Sequence, residues 1–194
     1  LDKNGNFPIE SLGSKSTKKS FSLQSSHLFV NFPSHPLTEV YCFGSNSFKK
    51  LGINGTDIYT PKLIDGLAYT QIKDIQIGEY SIVTTNNGEL LYCGGTSSES
   101  LSTFGKRTKN EDKIGSNGIQ TVAICGNSVI VVTRDGSLFS MGNNQNGGLG
   151  QAWTNPVPDF TSMNFNKKIK QIALSDTHCL LLNTEGKVFH LGNN

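Results

Sequence analysis

Four groups of residues have side chains able to do chemistry. Ser175, Asp176 and His178 together hold a nucleophile, an acid and a base. They are nearly consecutive, whereas a working triad draws its members from separate elements. The expected role of His178 is therefore to pin the start of a strand by hydrogen bonding. The glycine-rich stretch Gly142-Asn143-Asn144-Gln145-Asn146-Gly147-Gly148-Leu149-Gly150 is the type of segment that cradles phosphate. No Gly-Lys-Ser/Thr follows it and no helix opens after it, so a tight turn is the expected role. Cys42, Cys93, Cys125 and Cys179 lie 51, 32 and 54 residues apart, with no Cys-x-x-Cys pair. That spacing matches no zinc pattern. Each cysteine sits in an apolar stretch, as in Val40-Tyr41-Cys42-Phe43, and is expected to be a buried strand thiol of a reducing compartment. Lysines and arginines cluster at Lys49-Lys50, Lys106-Arg107-Thr108-Lys109 and Lys167-Lys168-Ile169-Lys170. These offer a basic surface to an acidic protein, nucleic acid or chromatin, or are simply solvated loop charge. No group makes a catalytic set, and neither a metal nor a cofactor is expected.

The bulk numbers agree with a neutral, strand-rich protein. The 194 residues carry 17 Lys and Arg against 15 Asp and Glu, a net charge of +2, so no strong polyanion field is implied. The sequence holds 21 Gly, 21 Ser and 19 Asn but only four Ala, a composition that excludes a helical bundle and favours short strands joined by turns. The longest apolar run, around Val129-Ile130-Val131-Val132, is far below the roughly 20 residues a membrane helix needs. The opening Leu1-Asp2-Lys3-Asn4-Gly5 is polar, so no secretory signal is expected and the reading is intracellular, cytoplasmic or nuclear.

The elements that position these groups repeat. Three segments run from an apolar strand through a turn into a second apolar strand ending in Gly: Ser81 to Gly94, Ser128 to Gly142 and His178 to Gly192. Their turn glycines Gly88, Gly136 and Gly186 lie 48 and 50 residues apart, and the closing glycines Gly44, Gly94, Gly142 and Gly192 lie 50, 48 and 50 apart. Asn-Gly and Asp-Gly at the tips supply the positive φ of tight hairpins. An apolar-x-apolar step precedes each hairpin: Ile75/Ile77, Val122/Ile124 and Ile172/Leu174. Phe21/Leu23 before His27-Leu28-Phe29-Val30 is the same step, which makes His27 and His178 equivalent, with Ser81 and Ser128 in the same slot. The first hairpin then carries an insertion at Pro33-Ser34-His35-Pro36.

A unit of about 50 residues with several short strands is the size of one propeller blade. The expected fold is all-β: a β-propeller of about three to four blades, with three full repeats at residues 44–93, 94–141 and 142–191 inside a repeat region at 21–194. Residues 1–20 read as a linker or loosely held edge. After the closing glycines, Gly44 to Gly52 and Gly142 to Gly150 both fit Gly-x-Asn-x4-Leu-Gly, while the copy from Gly94 to Gly105 has drifted. Partner-binding residues are expected on these loops: Asn46, Lys49, Lys50, Lys106, Arg107, Asn144 and Gln145.

This loop after an apolar strand, with Val188-Phe189-His190-Leu191-Gly192-Asn193-Asn194 and Leu138-Phe139-Ser140-Met141-Gly142-Asn143-Asn144 as its best copies, resembles the regulator of chromosome condensation repeat. The usual Trp before the closing Gly is replaced by Phe43, Cys93, Met141 and Leu191. Trp153 is followed by Thr154, unlike the Trp-Asp pair of another propeller family, and only Cys93-Gly94-Gly95 mimics the double Gly of kelch repeats. The resemblance implies a seven-bladed ring of which this chain is about half. The repeat itself, with no catalytic set, points to a non-catalytic scaffold for protein-protein interaction that uses its blade-edge loops, and the resemblance implies two alternatives: a guanine-nucleotide exchange factor for a Ran-like small GTPase, or the substrate-binding propeller of a larger ubiquitin ligase. A protein partner, a small GTPase among the candidates, is expected. Nucleic acid or chromatin is a weaker expectation, and no membrane partner is expected.

Overall fold

The fold was obtained as a computed structural model, and it describes residues 20–24, 27–31, 39–95, 101–105, 114 and 118–193. Residues 1–19, the proposed insertion at 33–36, and Lys106 and Arg107 lie outside the described residues. The protein is all-β, in four antiparallel sheets formed in chain order. The first contains β1 (Ser20–Gln24), β2 (His27–Asn31), β3 (Val40–Gly44) and β4 (Ile58–Leu63). The second contains β5 (Ile72–Ile77), β6 (Tyr80–Thr85), β7 (Leu90–Gly94) and β8 (Leu101–Gly105). The third contains β9 (Ile119–Cys125), β10 (Ser128–Thr133), β11 (Leu138–Gly142) and β12 (Val157–Ser162), and the fourth β13 (Ile169–Leu174), β14 (His178–Asn183) and β15 (Val188–Gly192). These are propeller blades. No helix among the described residues is long and apolar enough to cross a membrane.

Alternation along the second strand of each blade explains the stacking. In β10, Val129 and Val131 join a cluster with Ile82 and Tyr92 of the blade before. Ile130 and Val132 join another with Cys179 and Leu181 of the blade after. A strand covered on both faces needs an unbroken apolar run, and Val129-Ile130-Val131-Val132 supplies it. Burying each such side chain contributes about 1.5–3 kcal/mol, so neighbouring blades stabilise one another. In the fourth blade Cys179 and Leu181 are buried against the third, while Leu180 and Val188 on the opposite face are 40% and 63% exposed.

The repeat also appears in the backbone bonds. The amides of Asn86, Arg134 and Thr184 at the hairpin tips donate to the carbonyls of Gln71, Gly118 and Lys168 at 2.8, 2.9 and 3.0 Å. Between blades, Lys73 Nζ donates to the Gln120 carbonyl at 2.7 Å, and Gln120 Nε2 donates to the Lys170 carbonyl at 3.2 Å. These residues sit at equivalent positions one step into β5, β9 and β13.

One equivalence differs from the sequence reading. His27 faces Gly44 and His178 faces Gly192 across their hairpins, but the residue facing Gly94 is Tyr80, not Ser81. Ser81 pairs with Cys93, one step further in. The polar side chains of Ser128 and the histidines point to Ser81 in sequence. The slot instead follows the ladder, and here a tyrosine fills it, its ring edge-on to Tyr92 at 6.2 Å.

Candidate functional site

The loops after the closing glycines are built around a buried asparagine. In the first, Asn46 Oδ1 accepts from the Leu51 amide at 3.0 Å, and its Nδ2 donates to the carbonyls of Ile53 and Gly55 at 3.1 and 2.8 Å. In the third-blade loop, Asn144 Oδ1 accepts from the Leu149 amide at 3.0 Å and Nδ2 donates to the Trp153 carbonyl. The Leu of Gly-x-Asn-x4-Leu-Gly is buried in both copies, as Leu51 and Leu149. This motif is thus a folding device in which one amide side chain satisfies backbone groups from both limbs of the loop.

Each loop is laid across the next blade. A Cβ on Gly94 would come within 3.0 Å of the Lys50 Cα, and one on Gly192 within 3.1 Å of the Gly148 Cα. Lys50 and Gly148 are therefore structural equivalents, and both closing glycines are needed because a neighbouring backbone fills the space of a side chain. The loop edge is consequently held by blade-to-blade packing.

The expected partner-binding residues divide under this geometry. Asn46 and Asn144 are 6% and 1% exposed and spend their polar atoms on their own loops. Lys49 and Gln145 are exposed, and Lys50 is half-buried where it crosses Gly94. Two large side chains that the sequence reading did not single out also surface on these loops. Phe48 is 49% exposed and Trp153 46% exposed.

The other chemical groups are engaged in structural contacts within and between blades. The Ser175 hydroxyl lies 2.9 Å from His178 Nδ1 and accepts from the His178 amide at 3.2 Å, which ties down the start of β14. Asp176 points elsewhere: its Oδ1 accepts from the Cys125 thiol at 3.1 Å, a bond between the third and fourth blades. The acid does not orient the imidazole, so these three residues form no relay. Burial, followed by the hydrogen bond and charge of Asp176, pushes the Cys125 thiol up to about 11. Burial raises Cys42 to about 11 and Cys179 to about 12, and it holds Cys93 well above the ordinary thiol range. All four cysteines are free, three of them buried, and thiols held neutral in this way are poor nucleophiles.

Four blades, with Gly-x-Asn loops from the first and third laid over the closing glycines of the next, resemble a known repeat. The profile of the Regulator of chromosome condensation (RCC1) repeat matches residues 135–182. Residues 135–182 are thus an RCC1-type repeat. It is 26% identical to the human E3 ubiquitin-protein ligase HERC2 over 166 residues, covering 80% of this chain and 3% of that protein. It is 27% identical to the human RCC1-like G exchanging factor-like protein over 176 residues, covering 79% of this chain and 36% of the relative. The RCC1 fold is also seen in yeast RCC1 (Prp20), solved bound to Kap60. That structure superposes with a TM-score of 0.68 at 15% identity, over 93% of this chain and 45% of the yeast one. The chain thus spans less than half the length of each of these proteins.

Proposed function

We propose that this chain is a non-catalytic protein-binding scaffold whose partners engage the loop edge that follows the closing glycines. The observation that carries the reading is the display of Phe48 and Trp153, half exposed, on loops anchored by Asn46 and Asn144. Large aromatic rings on a rigid support are the usual anchors of protein interfaces, because they bury much area while losing little conformational entropy. Lys49 and Gln145 flank them with exposed polar groups. A photo-crosslinking residue in place of Gln145 tests this, with one in place of Thr184 at the opposite edge as control. Discrete crosslinked proteins from position 145 and none from 184 are expected in cells that make the protein. The reverse pattern overturns the reading.

Similarity to an exchanging-factor-like relative supports a second reading, nucleotide exchange on a Ran-like small GTPase. Release of labelled GDP separates the two. Acceleration at micromolar protein supports exchange, and an unchanged rate removes it. Similarity to HERC2 supports a third, in which the blades present substrates to a ligase carried by a longer chain. Ubiquitin transfer to proteins captured at position 145, lost when that surface is changed, is its expected signature.

A further inference from the structure

The two well-formed Gly-x-Asn loops have the same hydrogen bonds but different backbones at their tips. Lys49 N donates to the Asn46 carbonyl at 2.9 Å, as Gly147 N does to Asn144. Gly52 N donates to the Lys49 carbonyl at 3.3 Å, as Gly150 N does to Gly147 at 3.1 Å. The slot between them is left-handed in both, with φ of 59° at Lys49 and 70° at Gly147. In the third-blade loop a glycine takes that slot, preceded by Asn146, which is outside the left-handed region. In the first loop a lysine takes it, preceded by Phe48 at φ 59°, ψ 18°. Two successive side-chain-bearing residues are thus held in a conformation that L-residues avoid and aromatic residues rarely adopt.

Internal packing does not compensate for this strain. Phe48 belongs to none of the three apolar clusters, and its ring is 49% exposed. Lys49 is exposed and Lys50 follows it directly, so the tip is an apolar ring beside two cations. The nearby carboxylate Asp57 already accepts from the Asn46 amide at 2.9 Å, at the root of the loop. Strain retained at an exposed tip is characteristic of a preorganised contact, in which the conformation a partner requires is built before the partner arrives.

We propose that Phe48, Lys49 and Lys50 form a preformed docking tip for an acidic protein segment, with the ring entering an apolar position of the partner and the lysines facing its carboxylates. This rests on the scaffold reading and specifies the chemistry of one partner. A protein segment is favoured over single-stranded nucleic acid, because the latter is followed by a basic groove carrying several stacked aromatics, and this tip presents one ring.

The experiment grafts the third-blade tip onto the first loop. Phe48→Asn with Lys49→Gly keeps every backbone hydrogen bond described above while removing the ring, one of the two charges and the strain. The probe is a fluorescein-labelled 12-residue peptide of Asp and Glu with a central Leu, read by anisotropy in low salt. A peptide with Ser for every acid and a labelled 12-mer of thymidine are the comparisons. The intact chain is expected to bind the acidic peptide about tenfold tighter than the Ser peptide. The grafted variant is expected to lose that preference while its melting temperature rises by about 2–4 °C. Equal peptide binding by both proteins, a fall in melting temperature on grafting, or preference for the thymidine strand each overturns the proposal. Crosslinking from position 145 is unaffected by these outcomes, so the proposal can fail while the scaffold reading stands.

Discussion

Substituting two glycines with the same sign of φ separates backbone strain from loss of space. Gly186, at the fourth-blade hairpin tip, has φ 82°, and a Cβ there meets nothing within 4 Å. Gly142, the third closing glycine, has φ 111°, and its Cβ would lie 1.9 Å from the Asn127 carbonyl oxygen and 2.8 Å from the Ser128 Cα. At Gly186→Ala only the left-handed penalty of about 1–2 kcal/mol applies, partly offset by about 0.4–1 kcal/mol from the stiffer unfolded chain. The net cost is about 1 kcal/mol. At Gly142→Ala the obstacle is backbone, which no rotamer change relieves, so the start of β10 must move away from the end of β11. The bonds at risk are Ser128 Oγ to the Asn143 carbonyl at 2.8 Å and the Asn143 amide to Asn127 Oδ1 at 3.2 Å. Two bonds at about 1 kcal/mol each, added to strain and displaced packing, bring the cost to about 4 kcal/mol. At about 2–4 °C per kcal/mol for a chain of this size, melting falls by about 8–16 °C for Gly142→Ala and about 2–4 °C for Gly186→Ala. Circular dichroism melts give both numbers, and fluorescence of Trp153, the single tryptophan, reports on the third-blade loop separately. Equal losses at the two sites would refute the assignment of Gly142 to space already filled by the backbone at the start of β10.

Asn144→Ala leaves the buried Leu149 amide and the Trp153 carbonyl without their partner, at about 1–3 kcal/mol for each group left unsatisfied. Gln145→Ala beside it is exposed and is expected to change stability by no more than about 0.5 kcal/mol, so urea titrations of the pair check the loop design. The buried thiols make stability fall in alkali. Cys42 and Cys179, raised by burial to about 11 and 12, ionise more readily unfolded than folded. Their contribution is therefore complete below about pH 9 and is lost as pH rises through 11–12, by up to about 1.4 kcal/mol per pH unit per thiol. Cys179→Ala should flatten that slope in denaturation curves taken from pH 8 to 11. Cys125 is raised by burial and then by Asp176, so Asp176→Asn lowers its pKa and speeds its alkylation by iodoacetamide at pH 8.5. An unchanged rate would mean that burial alone governs this thiol.

The blades were legible because their spacing is written in glycine, and glycine is constrained twice over. Gly88, Gly136 and Gly186 have φ of 91°, 86° and 82° at the tips, while Gly94, Gly142 and Gly192 face a neighbouring backbone at the hairpin ends. The slot shared by His27, Ser128 and His178 holds Tyr80 rather than Ser81, because hydrogen-bond register, not a polar side chain, defines it. The loops were legible in position but not in orientation. Asn46 and Asn144 look like surface polar residues in sequence, and only the carbonyls of Gly55 and Trp153, nine residues on, show that they turn inward. Phe48 carries no periodic signal at all. Its significance lies in φ, which a sequence does not display.

The two edges of the protein are constrained differently, and this bears on how one architecture serves unrelated tasks. At the hairpin-tip edge, the same backbone bond recurs from Asn86, Arg134 and Thr184, and the Arg134 guanidinium adds a bond to the Asn86 carbonyl of the previous blade at 3.1 Å. Changing Arg134 there removes a contact between neighbouring blades. At the loop edge, closure depends on one Asn, one buried Leu and a glycine step, as Asn46, Leu51 and Gly52 or Asn144, Leu149 and Gly150. Between these fixed points, Ser47-Phe48-Lys49 and Gln145-Asn146-Gly147 fill the same turn with entirely different chemistry, and among the described residues Asn146 alone of the six adds side-chain bonds to the next blade, donating to the Asp176 carbonyl at 3.4 Å and accepting from Asn193 Nδ2 at 3.1 Å. A fold that closes its loops on a few fixed residues in this way allows the tips to differ while the turn is kept. It is at those tips, rather than in the blades, that the partner of this chain is to be sought.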